Sequence, residues 1–207
     1  MWNTLLRSVV GVALITFLFM MIRAPNNLKR KINFLCFAGA MLATILLSIF
    51  RIENIFYTFP TAEAAAEYAC KGEILGIVEG SQSSLVVYSS SIEELKTMLI
   101  PKSASGYKLC NELSTGIIAS EYSQKYKVEI LNKGSDYFAF VYGASDDPDV
   151  SVSDNHNSRF LTSERISASS DNQHIIVAAF ALINNANENY AVTVTAGEES
   201  VTIGDFV

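Results

Sequence analysis

The densest cluster of side chains that could bind a metal ion is the acidic segment SDDPDVSVSDNHN, residues 145–157. Within it, Asp147, Asp149 and Asp154 offer the hard carboxylate oxygens that Ca²⁺ prefers. The spacing departs from an EF-hand loop, because the central glycine and the final bidentate glutamate are missing. Runs of Asp, Ser and Asn are also typical of solvated loops between strands. We favour the loop and keep the three aspartates as a weaker Ca²⁺ candidate.

A second arrangement with catalytic potential pairs a histidine with an acid. His174 begins an apolar segment, and Asp171 three residues earlier could orient its imidazole toward one of the many serines. No GxSxG nucleophile elbow is present, and serine is abundant in turns. The chain has only two histidines and no HExxH, which disfavours a catalytic zinc site. Phosphate-binding motifs GxxxxGK[ST] and GxGxxG are also missing.

The sequence contains three cysteines. Cys36 lies in an apolar run and is interpreted as a small apolar residue. Cys70 and Cys110 lie in the acidic C-terminal part, where an oxidising compartment would permit a disulfide that closes a loop of about 40 residues. Sequence alone cannot bring two sulfurs together, so the bridged and unbridged states both stay open.

Two apolar runs at the amino terminus determine where these residues lie. Residues 8–22 and 32–50 contain no charged side chain over 15 and 19 positions. As a helix, the second run is about 28 Å long, close to the roughly 30 Å core of a bilayer. The first run, taken as residues 5–22, reaches about 27 Å if Arg7 extends toward the headgroups. The sequence therefore predicts a transmembrane hairpin with a basic loop at 23–31.

Two alternatives to spanning helices were weighed. Arg7 precedes an apolar core, as in a signal peptide, but the following MIRAPNNLKRK lacks a small-x-small cleavage pattern. A buried helix of a soluble domain rarely contains 19 uncharged residues, as the second run does. Both runs lack Asp, Glu, Lys, Arg and His, and this absence disfavours an independent carrier or channel.

Charge divides the chain at about residue 50. The loop between the apolar runs carries four bases, Arg23, Lys29, Arg30 and Lys31, and residues 1–50 contain no acid. Short loops rich in Lys and Arg resist translocation, so we predict a cytoplasmic loop and an extracytoplasmic domain at 51–207. That domain holds ten bases and all 21 acids, a formal net charge of −11. This charge disfavours binding of nucleic acid or of anionic lipid surfaces by the domain.

The outer domain is predicted to begin with a helix and to continue as strands. Thr61 is a favourable N-cap, several alanines follow, and Gly72 can terminate, so we expect a helix over 62–71. EILGIVEG with SSLVVYSS predicts one hairpin, and KTMLIPKSASGYKL a second. HIIVAAFAL is apolar on both faces, as in a central strand, and we expect it to form a meander with NYAVTVTAG and ESVTIGDF.

Alternation is clearest in KYKVEILNKGSDYFAFVYG. The apolar side chains of each strand share one face, namely Tyr126, Val128 and Ile130, then Tyr137, Ala139 and Val141. The predicted fold class is α+β and mostly β. It comprises a transmembrane helical hairpin followed by a mainly antiparallel sandwich or open barrel with one early helix.

One short segment resembles other proteins. YTFPTAEAAAEYA, followed by two short strands around EG, is similar to a segment of small uncharacterised membrane proteins of Gram-positive bacteria. In these an apolar N-terminal region precedes a T-F-x-[ST]-x-E-x-A-like helix. The similarity covers about 30 residues. It implies a bacterial surface protein and carries over no site residues.

The missing catalytic motifs favour a non-catalytic function. We expect a membrane-anchored extracytoplasmic binding or accessory module that needs no cofactor, since β-rich scaffolds with variable loops commonly serve binding. Its expected partners are the lipid bilayer and another membrane or envelope protein. The alternative is an extracytoplasmic hydrolase that uses His174, Asp171 and a serine. A concave pocket would distinguish a ligand-binding site from a flat interaction face.

Overall fold

The structure is a computed structural model that divides into two compact units. The described residues up to Tyr57 form the first unit, and the described residues from Thr58 to Cys110 and from 116 onward form the second. The backbone is described except at residues 1, 50, 52, 92–93, 111–115, 124, 148, 169–172, 185–188, 205 and 207. Side chains are also left undescribed at residues 2–4, 48–49, 165–168 and 173–174.

The first unit contains the two predicted apolar helices and a short third one. Helix α1 spans Trp2–Ile22, α2 spans Asn27–Ile49, and α3 spans Glu53–Phe56. Within the first two, Leu5–Ile22 and Asn27–Leu47 are long and apolar enough to cross a membrane. The prediction of two such helices is confirmed, although the unit continues seven residues beyond the expected boundary at residue 50.

The connection between α1 and α2 is shorter than the expected nine-residue loop. Only residues 23–26 separate the helices, so Lys29, Arg30 and Lys31 lie in the first turns of α2. The Asn26 Oδ1 accepts a hydrogen bond from the Lys29 N–H at 3.0 Å and caps the helix. With this cap, α2 begins at Asn27, within the segment 23–31 that the sequence predicts as a loop. Basic residues oppose the dipole at a helix N-terminus, so these charges do not serve helix stability.

Arg7 of α1 contacts the other end of α2. Its Nε and Nη2 donate hydrogen bonds to the Leu47 carbonyl oxygen at 3.2 and 2.8 Å. That carbonyl belongs to the last turn of α2, where intrahelical donors run out and the negative end of the helix dipole lies. A charged side chain in an otherwise apolar helix is thereby hydrogen-bonded.

Helix α4 opens the second unit and spans Ala62–Ala69. Its predicted cap is confirmed, since the Thr61 Oγ1 accepts a hydrogen bond from the Ala64 N–H at 3.1 Å. The buried face consists of small side chains, Ala62, Ala65 and Ala66, which permit close packing on the sheet beneath.

The end of α4 differs from the prediction. The helix stops at Ala69 because Cys70 is extended, and Gly72 does not adopt the positive φ of a glycine cap. A Cβ at Gly72 would lie 1.9 Å from the carbonyl oxygen of Ser89. Gly72 is therefore needed where the chain passes close to a neighbouring strand, and not for helix termination.

The described part of the second unit contains twelve strands in three antiparallel sheets, with orders β1-β2-β3-β4, β5-β6-β7-β10-β9 and β12-β11-β8. The strands are β1 Glu73–Glu79, β2 Ser83–Ser89, β3 Leu95–Ser103, β4 Gly106–Tyr107, β5 Ile117–Ser123, β6 Tyr126–Lys133, β7 Asp136–Ser145, β8 Val150–Asp154, β9 Leu161–Ala168, β10 Gln173–Ile183, β11 Ala191–Ala196 and β12 Glu199–Gly204. The predicted fold class, a mostly antiparallel β domain after two apolar helices, is confirmed.

The five-stranded sheet is the middle layer, and its central strands β6, β7 and β10 are buried on both faces. One face, with Val128 and Ala139, packs on the three-stranded sheet through Val192 and Val194. The other face packs on the four-stranded sheet; the side chains in this contact include Leu85, Leu99, Leu131, Phe138, Phe140 and Phe180. Strand β10 lies between β7 and β9, as expected of a strand that is apolar on both faces.

Two predicted strand arrangements were wrong. Strand β11 does not continue a meander from β10, but pairs with β12 and β8 in the separate three-stranded sheet. The acidic segment is not only a loop, because Val150–Asp154 forms β8. Val150 and Val152 pack against the core while Ser151 and Ser153 are exposed. Only two apolar residues alternate here, and the polar residues around them favour the prediction of a loop.

Candidate functional site

A concave cleft of about 440 Å³ lies at one end of the β domain. It is bounded by the start of β6, the end of β7 with the following loop, and the β11–β12 hairpin. Four carboxylates and one ammonium group line it, namely those of Asp146, Asp147, Glu198, Glu199 and Lys125. The cleft is therefore negatively charged.

The floor of the cleft is apolar and belongs to the domain core. Tyr126, Val194 and Val201 line it. Tyr126 and Val194 are almost fully buried and lie in the core between the five-stranded and three-stranded sheets, and Val201 packs against that core. The rigid packing of these side chains fixes the base of the cleft. Its walls, in contrast, come from turns.

One wall of the cleft is held in place by local hydrogen bonds. The Ser145 Oγ accepts from the Asp147 N–H and donates to the Asp147 carbonyl oxygen, both at 3.0 Å. The Asp147 Oδ1 accepts from the Asp149 N–H at 2.8 Å. These contacts form a compact polar turn that presents its carboxylate beside the cleft.

The opposite wall approaches this turn closely. Gly197 has a φ of 57° in the β11–β12 turn, and its N–H donates to the Asp149 carbonyl oxygen at 3.3 Å. A Cβ at Gly197 would lie 2.2 Å from the Asp147 Oδ2. Only glycine combines this backbone conformation with this approach. A backbone hydrogen bond thus connects the two acidic turns that form the opposite walls of the cleft.

Lys125 neutralises part of the acidic lining. Its Nζ lies 2.7 Å from the Asp146 Oδ2, and this hydrogen bond raises the pKa of Lys125. Both side chains are well exposed, so the pair contributes little to stability. Glu198 and Glu199 form no ion pair with any residue that the structure describes. The cleft therefore keeps an excess of negative charge.

Asp154 lies away from the cleft and has a structural role. Its Oδ2 accepts from the Tyr190 hydroxyl at 3.0 Å, and its Oδ1 accepts from the N–H groups of Ser158 and His156 at 2.7 and 3.2 Å. Tyr190 is fully buried. Burial first, and then the Asp154 carboxylate, raise the pKa of Tyr190. The aspartate anchors the loop after β8 to the core.

The Ca²⁺ candidate of Asp147, Asp149 and Asp154 is not brought together by the fold. Strand β8 separates Asp149 from Asp154 by about 17 Å at the rise of an extended chain. Among the described residues, no group of three His, Cys, Asp or Glu side chains could hold a metal ion. Part of the acidic segment, Val150–Asp154, is a strand and not a ligand loop.

The structure describes the residues of the hydrolase alternative only in part. His174 lies on β10 and pairs in register with Ser167 of β9. Asp171 and the side chain of His174 lie outside the described residues. The hydrolase therefore stays a prediction.

Cys70 and Cys110 are not disulfide-bonded in the structure, and the bridged alternative stays a prediction. Cys70 packs against the core beneath α4, and burial raises the pKa of its thiol to about 11. Cys110 is buried, with the Lys133 Nζ 4.0 Å from its Sγ.

The four bases predicted to determine topology are all exposed and lie at one end of the helical hairpin. Arg23 is in the connection, whereas Lys29, Arg30 and Lys31 are on α2. The fold therefore concentrates positive charge at the connected ends of the two apolar helices.

Comparisons of the chain with protein-family models, curated proteins and solved structures found no match.

Sequence reasoning missed the cleft as a site. It identified the acidic turn around Asp147 but not Tyr126 or the Glu198–Glu199 pair. A signal was present, since acidic residues occur in two turns that each follow an apolar strand. The two turns lie side by side only because the sheet that contains β11 packs on the sheet that contains β7.

Proposed function

We propose that the protein is a membrane-anchored, extracytoplasmic binding module whose acidic cleft contacts a positively charged group of its partner. The observation that carries the proposal is the cleft itself, with an apolar floor, carboxylates on both walls and a volume of about 440 Å³. Such concave sites with a few polar groups are typical of ligand recognition.

The anchoring part of the proposal is supported by α1 and α2. Both have a segment long and apolar enough to cross a bilayer, and no residue of either segment is fully buried. Large exposed apolar side chains on both helices favour a lipid environment.

The orientation is supported by charge. Four bases stand at the connected end of the hairpin, and no acid occurs in residues 1–50. Translocation of that end is disfavoured, so the connection stays in the cytoplasm and the β domain lies outside. Residues 57–69 resemble a segment of small uncharacterised membrane proteins of Gram-positive bacteria, and this resemblance implies the same location.

The ligand class follows from the electrostatics of the cleft. A cationic side chain or amine with an apolar stem would place its charge between Asp147 and Glu198 and its stem on Tyr126 and Val194. An anion would meet like charge. We propose a basic segment of another membrane or envelope protein as the partner.

The orientation is tested by reporter fusions after residue 207, expressed in a bacterium. We expect an alkaline-phosphatase fusion to be active and a β-galactosidase fusion to be inactive. The reverse pattern would place the β domain in the cytoplasm and overturn the proposed location.

The cleft is tested with the full-length chain in detergent micelles and a fluorescent oligolysine peptide at low ionic strength. The variant Glu198→Gln with Glu199→Gln removes two cleft charges, and Glu63→Gln with Glu67→Gln removes two exposed charges from α4. We expect the first to weaken binding about tenfold and the second by much less. Equal losses would show binding to overall charge and not to the cleft.

A further inference from the structure

A second concave site lies at the connected end of the helical hairpin. This groove of about 520 Å³ is formed by the end of α1 and one face of α2, with the lining residues Met21, Asn27, Arg30, Lys31, Phe34 and Leu35. The α2 positions follow the spacing of a single helical face. The polar part of the groove therefore adjoins its apolar part along α2.

The groove changes character over one helical turn. Arg30 and Lys31 lie at its outer part, and Phe34 and Leu35 lie one turn further along α2, about 6 Å deeper into the apolar helix. The side chains of Phe34 and Leu35 are 57% and 69% exposed. In a spanning hairpin the bases lie at headgroup depth and the apolar pair at acyl-chain depth.

This order matches the order of groups in a phospholipid. A guanidinium and an ammonium group can share a phosphate, with the guanidinium donating two hydrogen bonds. Residues 1–52 contain no Asp or Glu, so α1 and α2 supply no carboxylate to neutralise these bases or to accept the ammonium of a zwitterionic headgroup. The groove therefore favours a lipid with net negative charge.

We propose that this groove binds one anionic phospholipid of the surrounding bilayer. Arg30 and Lys31 hold the headgroup phosphate, and one acyl chain lies along Phe34, Leu35 and Met21. The inference rests on the anchoring part of the proposed function. It is independent of the orientation and of the cleft ligand.

The experiment uses the full-length chain in detergent micelles with equimolar phosphatidylglycerol and phosphatidylcholine of identical acyl chains. Native mass spectrometry counts the lipids retained. We expect the wild-type chain to retain phosphatidylglycerol about tenfold more than phosphatidylcholine. Arg30→Gln with Lys31→Gln should abolish this preference. Arg23→Gln with Lys29→Gln, which removes the same charge outside the groove, should keep most of it.

Any of the following outcomes would overturn the proposal. Equal retention of the two lipids by the wild-type chain, or equal loss in both double variants, would reduce the effect to nonspecific charge. Displacement of the lipid by millimolar inorganic phosphate would show that Arg30 and Lys31 bind a free anion and not a lipid headgroup. A chain that stays monomeric in buffer without detergent would overturn the anchor as well. Incorporation into micelles without lipid preference would overturn the lipid site alone.

Discussion

The carboxylate of Asp136 accepts a hydrogen bond from the Ser83 N–H at 2.7 Å, and this contact joins two different sheets. The N–H groups of Ser81 and Gln82 donate to the same carboxylate at 3.1 and 2.7 Å. The turn between β1 and β2 therefore surrounds a buried charge with backbone donors. A Cβ at Gly80 would lie 2.4 Å from the Asp136 Oδ2, so the turn also needs glycine at that point.

Replacement of Asp136 by asparagine should destabilise the β domain. The amide loses the charge and turns a donor toward N–H groups of the turn, and we expect a loss of about 3 kcal/mol in the free energy of unfolding. Denaturant unfolding of the full-length chain, followed by circular dichroism at the strand signal, measures it. The exposed Asp149→Asn serves as control and should change stability by less than about 0.5 kcal/mol. Similar effects of the two changes would contradict the structural role of Asp136.

The same carboxylate should make stability depend on acid pH. Burial alone would raise the pKa of Asp136, but the hydrogen bonds from Ser81, Gln82 and Ser83 outweigh it and hold the pKa below its ordinary value of 3.8. The stabilisation is then complete above the unfolded pKa and is lost as the pH falls through the lower folded pKa. We expect the difference in melting temperature between wild type and Asp136→Asn to shrink between about pH 4 and pH 2. A constant difference over that window would contradict this linkage.

Removal of the Tyr190 hydroxyl should loosen the loop after β8. Tyr190→Phe leaves the buried Asp154 with two backbone donors in place of three hydrogen bonds, at a cost of about 1.5 kcal/mol. Tyr122→Phe is a matched control, because the Tyr122 side chain is 68% exposed. Thermal unfolding of both variants checks the prediction. An unchanged melting temperature in Tyr190→Phe would show that Asp154 does not need the phenol.

The cysteines should label as thiols without prior reduction. Cys70 has a pKa of about 11, so little of it is thiolate at neutral pH and native alkylation should be slow. After denaturation in the absence of reductant, mass spectrometry should find both Cys70 and Cys110 alkylated. Alkylation that requires a reducing agent would show that the pair is oxidised in the cell, as the disulfide alternative predicts.

Local features of the sequence predicted local structure well. The apolar helices, the Thr61 cap and the β1–β2 and β6–β7 hairpins each depend on residues that are neighbours in the chain. Prediction was weaker where a strand finds a distant partner. The sequence predicts a loop where β8 lies, because Val150 and Val152 stand among polar residues. Their alternation favours a strand only when β11 lies beside them.

The candidate site shows the same division. The acidic turn at Asp147 was recognised as a candidate binding feature, whereas its proximity to Gly197 and Tyr126 was not, because these residues come from three separated segments.

The sequence by itself determined two apolar helices, a strong charge asymmetry and a mostly β domain, since composition and periodicity act over short distances along the chain. Only the tertiary structure decided that β11 pairs with β8 and β12 in a separate sheet. It also decided that two acidic turns lie on either side of the apolar floor of one cleft. The physical reason is that strand pairing between distant segments is selected by burial of the whole core. No single strand carries that information in its own residues.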